Sequence, residues 1–167
     1  MLDWIQRGKI VWIVLLLGIM GVTEVYAGEK IPRFYISNMA VDSKRFSNKK
    51  AKNSYVISFF FVGCKPCIKE MPELYKLITT EFPATTLLFI DPIAEDSENK
   101  IRRFVEDLHI PLDYVYRDGL GRIGKKFFKG EMRFPTVIGA QKRTELFRHS
   151  ELDEKAVENI RNVLKNS

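Results

Sequence analysis

The run Tyr55-Val56-Ile57-Ser58-Phe59-Phe60-Phe61-Val62, followed after one glycine by Cys64-Lys65-Pro66-Cys67, constrains this chain more than any other feature. Its residues are β-branched or aromatic almost throughout, and apolarity at nearly every position suits a central strand covered on both faces. Ile68-Lys69-Glu70-Met71 and Leu74-Tyr75-Lys76-Leu77 then read as an amphipathic helix. The only two cysteines of the protein therefore sit at a strand-to-helix junction. If Cys64 lies at the N-terminal end of that helix, free backbone N–H groups and the helix dipole favour its thiolate, the form that attacks disulfides. Cys67, one turn inside, is placed to resolve a mixed disulfide. A redox-active dithiol is the leading expectation.

Two plainer readings compete with it. A C-x-x-C pair can be half of a zinc site, but no cysteine remains to complete a tetrahedral shell. His109 and His149, the only histidines, stand outside any metal-ligand spacing. No metal is expected. A purely structural disulfide is the other alternative.

Arg7 and Lys9 precede an apolar run from Ile10 to Val22, and Val25-Tyr26-Ala27 supplies small or aliphatic cleavage subsites. Residues 1–27 thus read as a secretory signal peptide or an uncleaved membrane anchor, the run being short for a full span. Either way residues 28–167 are expected in an extracytoplasmic, periplasmic compartment, where disulfides persist. That length suits one domain. The net charge of +6 is scattered over clusters such as Lys49-Lys50-Lys52 and Arg122-Lys125-Lys126-Lys129. Without interleaved aromatic platforms these read as solvated faces, and no nucleic-acid partner is expected.

Along the chain, Ile31 to Phe46 suggests one or two short edge strands, and Tyr55 to Val62 a buried strand. The helix after Cys67 is expected to kink at Pro72 and to leave at Phe82-Pro83. Thr85 to Ile90 reads as a second buried strand, followed by Asp91-Pro92 and a polar loop with Glu95, Asp96 and Ser97. Ser97 is a candidate cap for a helix burying Ile101, Phe104, Val105 and Leu108. Leu112 to Tyr116 reads as a strand and Leu120 to Phe128 as a basic helix stopped by Gly130. Phe134 to Ile138 and Thr144 to His149 then form a hairpin around a turn at Gly139 to Arg143, before a last helix capped by Ser150. Strands alternating with helices and then a hairpin predict a mixed central sheet with helices on both faces, an α/β fold.

A strand ending in C-x-P-C, a proline five residues after the second cysteine and a later hydrophobic-Pro-Thr strand together resemble the thioredoxin superfamily over Ile31 to Leu164. Within that span Cys-Lys-Pro-Cys-Ile-Lys-Glu-Met-Pro-Glu-Leu is similar to the TlpA/ResA-type extracytoplasmic reductases, which carry an acid where Glu70 stands and a proline where Pro72 stands. The resemblance implies a thioredoxin-like fold, with Asp91 to Tyr116 as a helix–strand insertion between its two halves. It also implies that Pro135 is a cis-proline facing the cysteines, with Phe134 and Thr136 flanking a groove for a partner backbone. Two departures stand out. Gly63 replaces the usual tryptophan before the first cysteine, which is expected to expose Cys64, although Phe60 fills the other common tryptophan site. Ser58 replaces the buried aspartate of ordinary thioredoxins, leaving Glu70 as the candidate proton acceptor.

The expected chemistry is attack by Cys64 and resolution by Cys67, tuned by Glu70 and by the loop residues Gly63, Lys65 and Pro66, with no cofactor beyond the cysteine pair. The resemblance implies a monomeric reductase of protein disulfides, with a client such as apocytochrome c and a membrane dithiol as electron donor. An oxidase or isomerase of secreted proteins, or a binding module with a structural disulfide, remains open.

Overall fold

The computed structural model describes residues 28–167, so the targeting segment expected over residues 1–27 lies outside it. Five strands form the central sheet. They are β3 (Ser54–Phe59), β4 (Thr86–Asp91), β5 (Val115–Arg117), β6 (Thr136–Gln141) and β7 (Thr144–His149), in the spatial order β5-β4-β3-β6-β7. β3 runs parallel to β4, and β4 to β5, whereas β6 is antiparallel to both β3 and β7. Every residue of β3 is buried, as its uninterrupted apolar character requires of a middle strand. The expected mixed α/β sheet is present.

Alternation along β4 sends Leu87 and Phe89 to one face of the sheet and Leu88 and Ile90 to the other. The first face is covered by α1 (Lys65–Glu81), α2 (Glu98–Asp107) and α4 (Glu154–Lys165), whose buried Leu74, Ile101 and Ile160 belong to one core. The second face carries α3 (Arg122–Phe127) and a separate antiparallel pair, β1 (Tyr35–Ser37) with β2 (Arg45–Ser47). Phe34 meets Phe127 edge-on at 5.5 Å, joining that hairpin to α3. The expected edge strands exist, but as their own small sheet across this face, joined to the main sheet by the Asn38–Tyr116 bridge, by the Met39 N–H on Val115 O and by the Phe46 ring against Tyr55 of β3.

Several local expectations are corrected. β3 stops at Phe59 rather than Val62: Phe60 N–H still reaches Ile90 O, but Val62 N–H donates to the Asp96 carboxylate instead. By contrast, α1 continues past Pro72 as expected, because Met71, Leu74, Leu77 and Ile78 hold its inner face against the core on both sides of the proline. Leu112–Tyr114 is a 3-10 turn opened by Pro111, leaving only Val115–Arg117 to pair with β4. The basic helix is shorter than expected, since Asp118 gathers the N–H groups of Arg122, Ile123 and Gly124 and so fixes its start. Gly139 belongs to β6 and not to the turn: a side chain there would collide with the Phe147 ring, and the reversal falls at Lys142. Asp153, not Ser150, caps α4 by accepting the Ala156 N–H.

Candidate active site

Cys64 is the residue before α1, in extended conformation, and its sulfur accepts the Cys67 N–H at 3.3 Å. The two cysteines are joined as a disulfide with Cα atoms 5.3 Å apart. Lys65 and Pro66, the first two helical residues, are exposed; proline costs nothing there because no helical acceptor awaits its nitrogen. The sulfur of Cys64 therefore receives a helix N–H in addition to the positive end of the dipole, two effects that favour a thiolate once the bond is reduced.

Gly63 departs from expectation. It is exposed with φ +89°, a conformation L side chains avoid, and no atom would obstruct a Cβ there. The backbone, not crowding, requires the glycine. Nor does the lost tryptophan expose Cys64, which is 1% accessible, with Cys67 at 0%. Both sulfurs lie in the α1-side core with Phe60, Met71 and Val137, and Phe61, Val62 and Phe134 pack against that core. Phe60 stacks on Phe104 at 5.9 Å.

Pairing of Phe59 with Thr136 brings the segment before β6 beside the end of β3. The Phe134–Pro135 bond is cis. Thr136 is buried, its hydroxyl donating to Arg133 O at 2.8 Å, and Phe134 meets Phe61 edge-on at 5.2 Å. Phe134, Pro135 and Thr136 are thus at the dithiol end of the sheet.

Glu70 is half-buried, and its Oε2 accepts the Leu152 N–H at 3.0 Å, tying α1 to the segment before α4. Burial pushes its carboxyl above the ordinary range, opposed by the Leu152 hydrogen bond and helped by Glu151 and Glu73 nearby. His149 faces Asn159 at 3.0 Å, and His109 sits at positive φ after α2. Among the described residues no group of three or more His, Cys, Asp or Glu is placed to hold a metal ion.

The sequence gives little sign of two further acids here. Asp91 reads as the opening of a polar loop, but it is the last residue of β4 and fully buried. Asp96 is 8% exposed, and its Oδ2 accepts the N–H of Val62, two residues before Cys64. Only a long-range contact makes this loop acid structural, and no local pattern signals it.

No known family and no curated protein matches the sequence. Solved structures do match. A candidate thioredoxin from Neisseria meningitidis is 25% identical, covering 84% of this chain and 93% of its own, with a TM-score of 0.66. A thiol:disulfide interchange protein of the thioredoxin family from Chlorobium tepidum TLS is 19% identical, covers 83% and 95%, and gives 0.61. StoA from Bacillus subtilis is 14% identical, covers 81% and 98%, and gives 0.63. These similarities show the fold, in which the bonded Cys64–Cys67 pair stands at the start of α1.

Proposed function

We propose that this chain, which has the thioredoxin fold of the TlpA/ResA-like proteins, is an extracytoplasmic reductase of protein disulfides. The observation that carries the reading is the cysteine pair at the start of α1, with the Cys67 N–H on the Cys64 sulfur. In the reduced protein the Cys64 thiolate attacks a client disulfide. A Cys64–client bond forms, the client bond breaks, and the departing client sulfur takes a proton. Cys67 then loses its proton and attacks Cys64, releasing the second client thiol and closing the Cys64–Cys67 disulfide. Two electrons pass to the client, and a membrane dithiol restores the pair. Glu70, half-buried one turn beyond Cys67, is the proton acceptor in this reading. Phe134, Pro135 and Thr136 form the edge along which the client backbone lies. An apocytochrome c is the client class suggested by the resemblance.

Equilibration of the protein with glutathione tests the direction. A reduction potential below about −230 mV supports a reductase, whereas one above about −150 mV makes the protein an oxidant and overturns the proposal.

Burial of both sulfurs favours a second reading, a binding module whose disulfide only braces the fold. Selective alkylation of one cysteine at mildly acidic pH, after reduction, supports the enzyme; two inert thiols support the module.

A further inference from the structure

Asp91 terminates β4 one position beyond Ile90, and alternation turns it to the face shared by Phe89 and α1, at the sheet end that carries the dithiol. It is wholly inaccessible. The next residue is Pro92, which has no N–H to offer, so Oδ1 accepts from Ile93 at 2.8 Å. Oδ2 has no donor among the described residues. A buried carboxylate oxygen left without a donor loses its hydration with nothing in return, so a group in this position must be paired in some other way.

The available group is another acid. The Asp96 carboxyl lies within hydrogen-bonding reach of Asp91, itself nearly buried, with Oδ2 on the Val62 N–H at 2.9 Å. The cation that acts on Asp91 is Arg117, its register partner on β5; its charge opposes proton retention less than burial and Asp96 favour it, and its hydrogen bonds go elsewhere, Nε to Asp96 O at 2.9 Å and Nη2 to Ala94 O. Asp118, whose N–H donates to Asp91 O, has its own carboxylate committed to the start of α3. From the end of β3 come only Phe60, Phe61 and Val62. Two carboxyl groups in such a site cannot both ionise cheaply.

We propose that Asp91 keeps its proton and shares it with Asp96, and that this pair is a positioning device for the dithiol, holding Val62 and hence the approach to Cys64. The inference rests on the thiol–disulfide reading for its consequence, but not for the shared proton. While the proton is present, Asp96 is a fixed acceptor for Val62 N–H. When it is lost, the two carboxylates repel, Asp96 moves off and the loop carrying Gly63 and Cys64 loosens. Burial, with Asp96 beside it, pushes the Asp91 carboxyl up to about 8, so the loosening belongs to mildly alkaline conditions.

Two measurements on the protein test this. Carboxyl-carbon NMR of the oxidised form should show Asp91 titrating near pH 8, with the Val62 amide resonance moving in step. Titration in the ordinary aspartate range, or a Val62 amide indifferent to it, overturns the proposal. After reduction, Cys64 alkylation followed from pH 6 to 9 should show, beyond the thiol titration, a second rise of about tenfold, the equivalent of losing one hydrogen bond to a charged acceptor. In Asp91→Asn, whose amide still donates to Asp96 but cannot ionise, that second rise should vanish; profiles with the same second rise in both proteins overturn the proposal. If Asp91 titrates as expected but the reduced protein exchanges with no disulfide, the reductase reading fails and the shared proton stands.

Discussion

At the scale of single residues, the positions before and after the cysteines are governed by different forces. Gly63 is held by its backbone angle alone, since its φ of +89° is hostile to side chains while the space around it is open. Gly63→Ala should therefore cost about 1 to 2 kcal/mol in urea unfolding, despite creating no clash; an unchanged midpoint would mean that the loop relaxes freely. Glu70 is governed by burial. Its raised carboxyl remains partly protonated at higher pH than a free glutamate, which suits a group that exchanges protons with a thiol. Glu70→Gln should slow exchange with a disulfide substrate and alter the shape of its pH dependence, not merely its height. It also keeps an oxygen for the Leu152 N–H, so a change in shape would not stem from a lost tether between α1 and α4. A profile matching the wild type would remove Glu70 from the mechanism.

Among the elements, those with strong internal periodicity were legible in the sequence and those fixed by a distant acid were not. β3, α1, α2 and α4 announce themselves because their apolar residues recur at strand or helix spacing. The dithiol site is equally legible, because both cysteines and the helix that orients them are local in sequence. The failures share a cause: α3 starts where Asp118 accepts three N–H groups, β3 ends where Asp96 takes Val62, and Gly139 yields to a ring from the next strand. None of these contacts has a local signature. For α3, a helix too short to stand alone, the Asp118 carboxylate replaces the hydrogen bonds that a longer helix would propagate. Asp118→Ala should lose about 2 kcal/mol of stability, and hydrogen exchange at the Ile123 and Gly124 amides should accelerate more than at α1. Uniform acceleration would show that the cap acts on the whole fold instead of on its own helix.

For the molecule as a whole, the buried acids on the α1 side of the sheet set how stability answers to pH. Asp91 has a folded carboxyl at about 8 against an ordinary value of 3.8, and Glu70 is raised in the same direction. A raised acid means that the folded state binds the proton more tightly than the unfolded chain. Its stabilising effect is thus complete below about pH 4, is withdrawn as the unfolded chain ionises, and has gone once pH passes the folded value near 8. This trend opposes the usual acid denaturation that exposed pairs such as Arg161–Glu81 contribute, and being buried it should outweigh them. Urea unfolding of the disulfide form should show stability falling from pH 5 to pH 8. Asp91→Asn removes the largest ionisable cause while keeping a donor towards Asp96, so its curve should be flatter and should lie above the wild type at pH 8 by up to a few kcal/mol. Parallel curves for the two proteins would mean that Asp91 is already ionised in the folded state at pH 5, and the fold would then be carrying two adjacent buried carboxylates with only the backbone-bound Arg117 nearby.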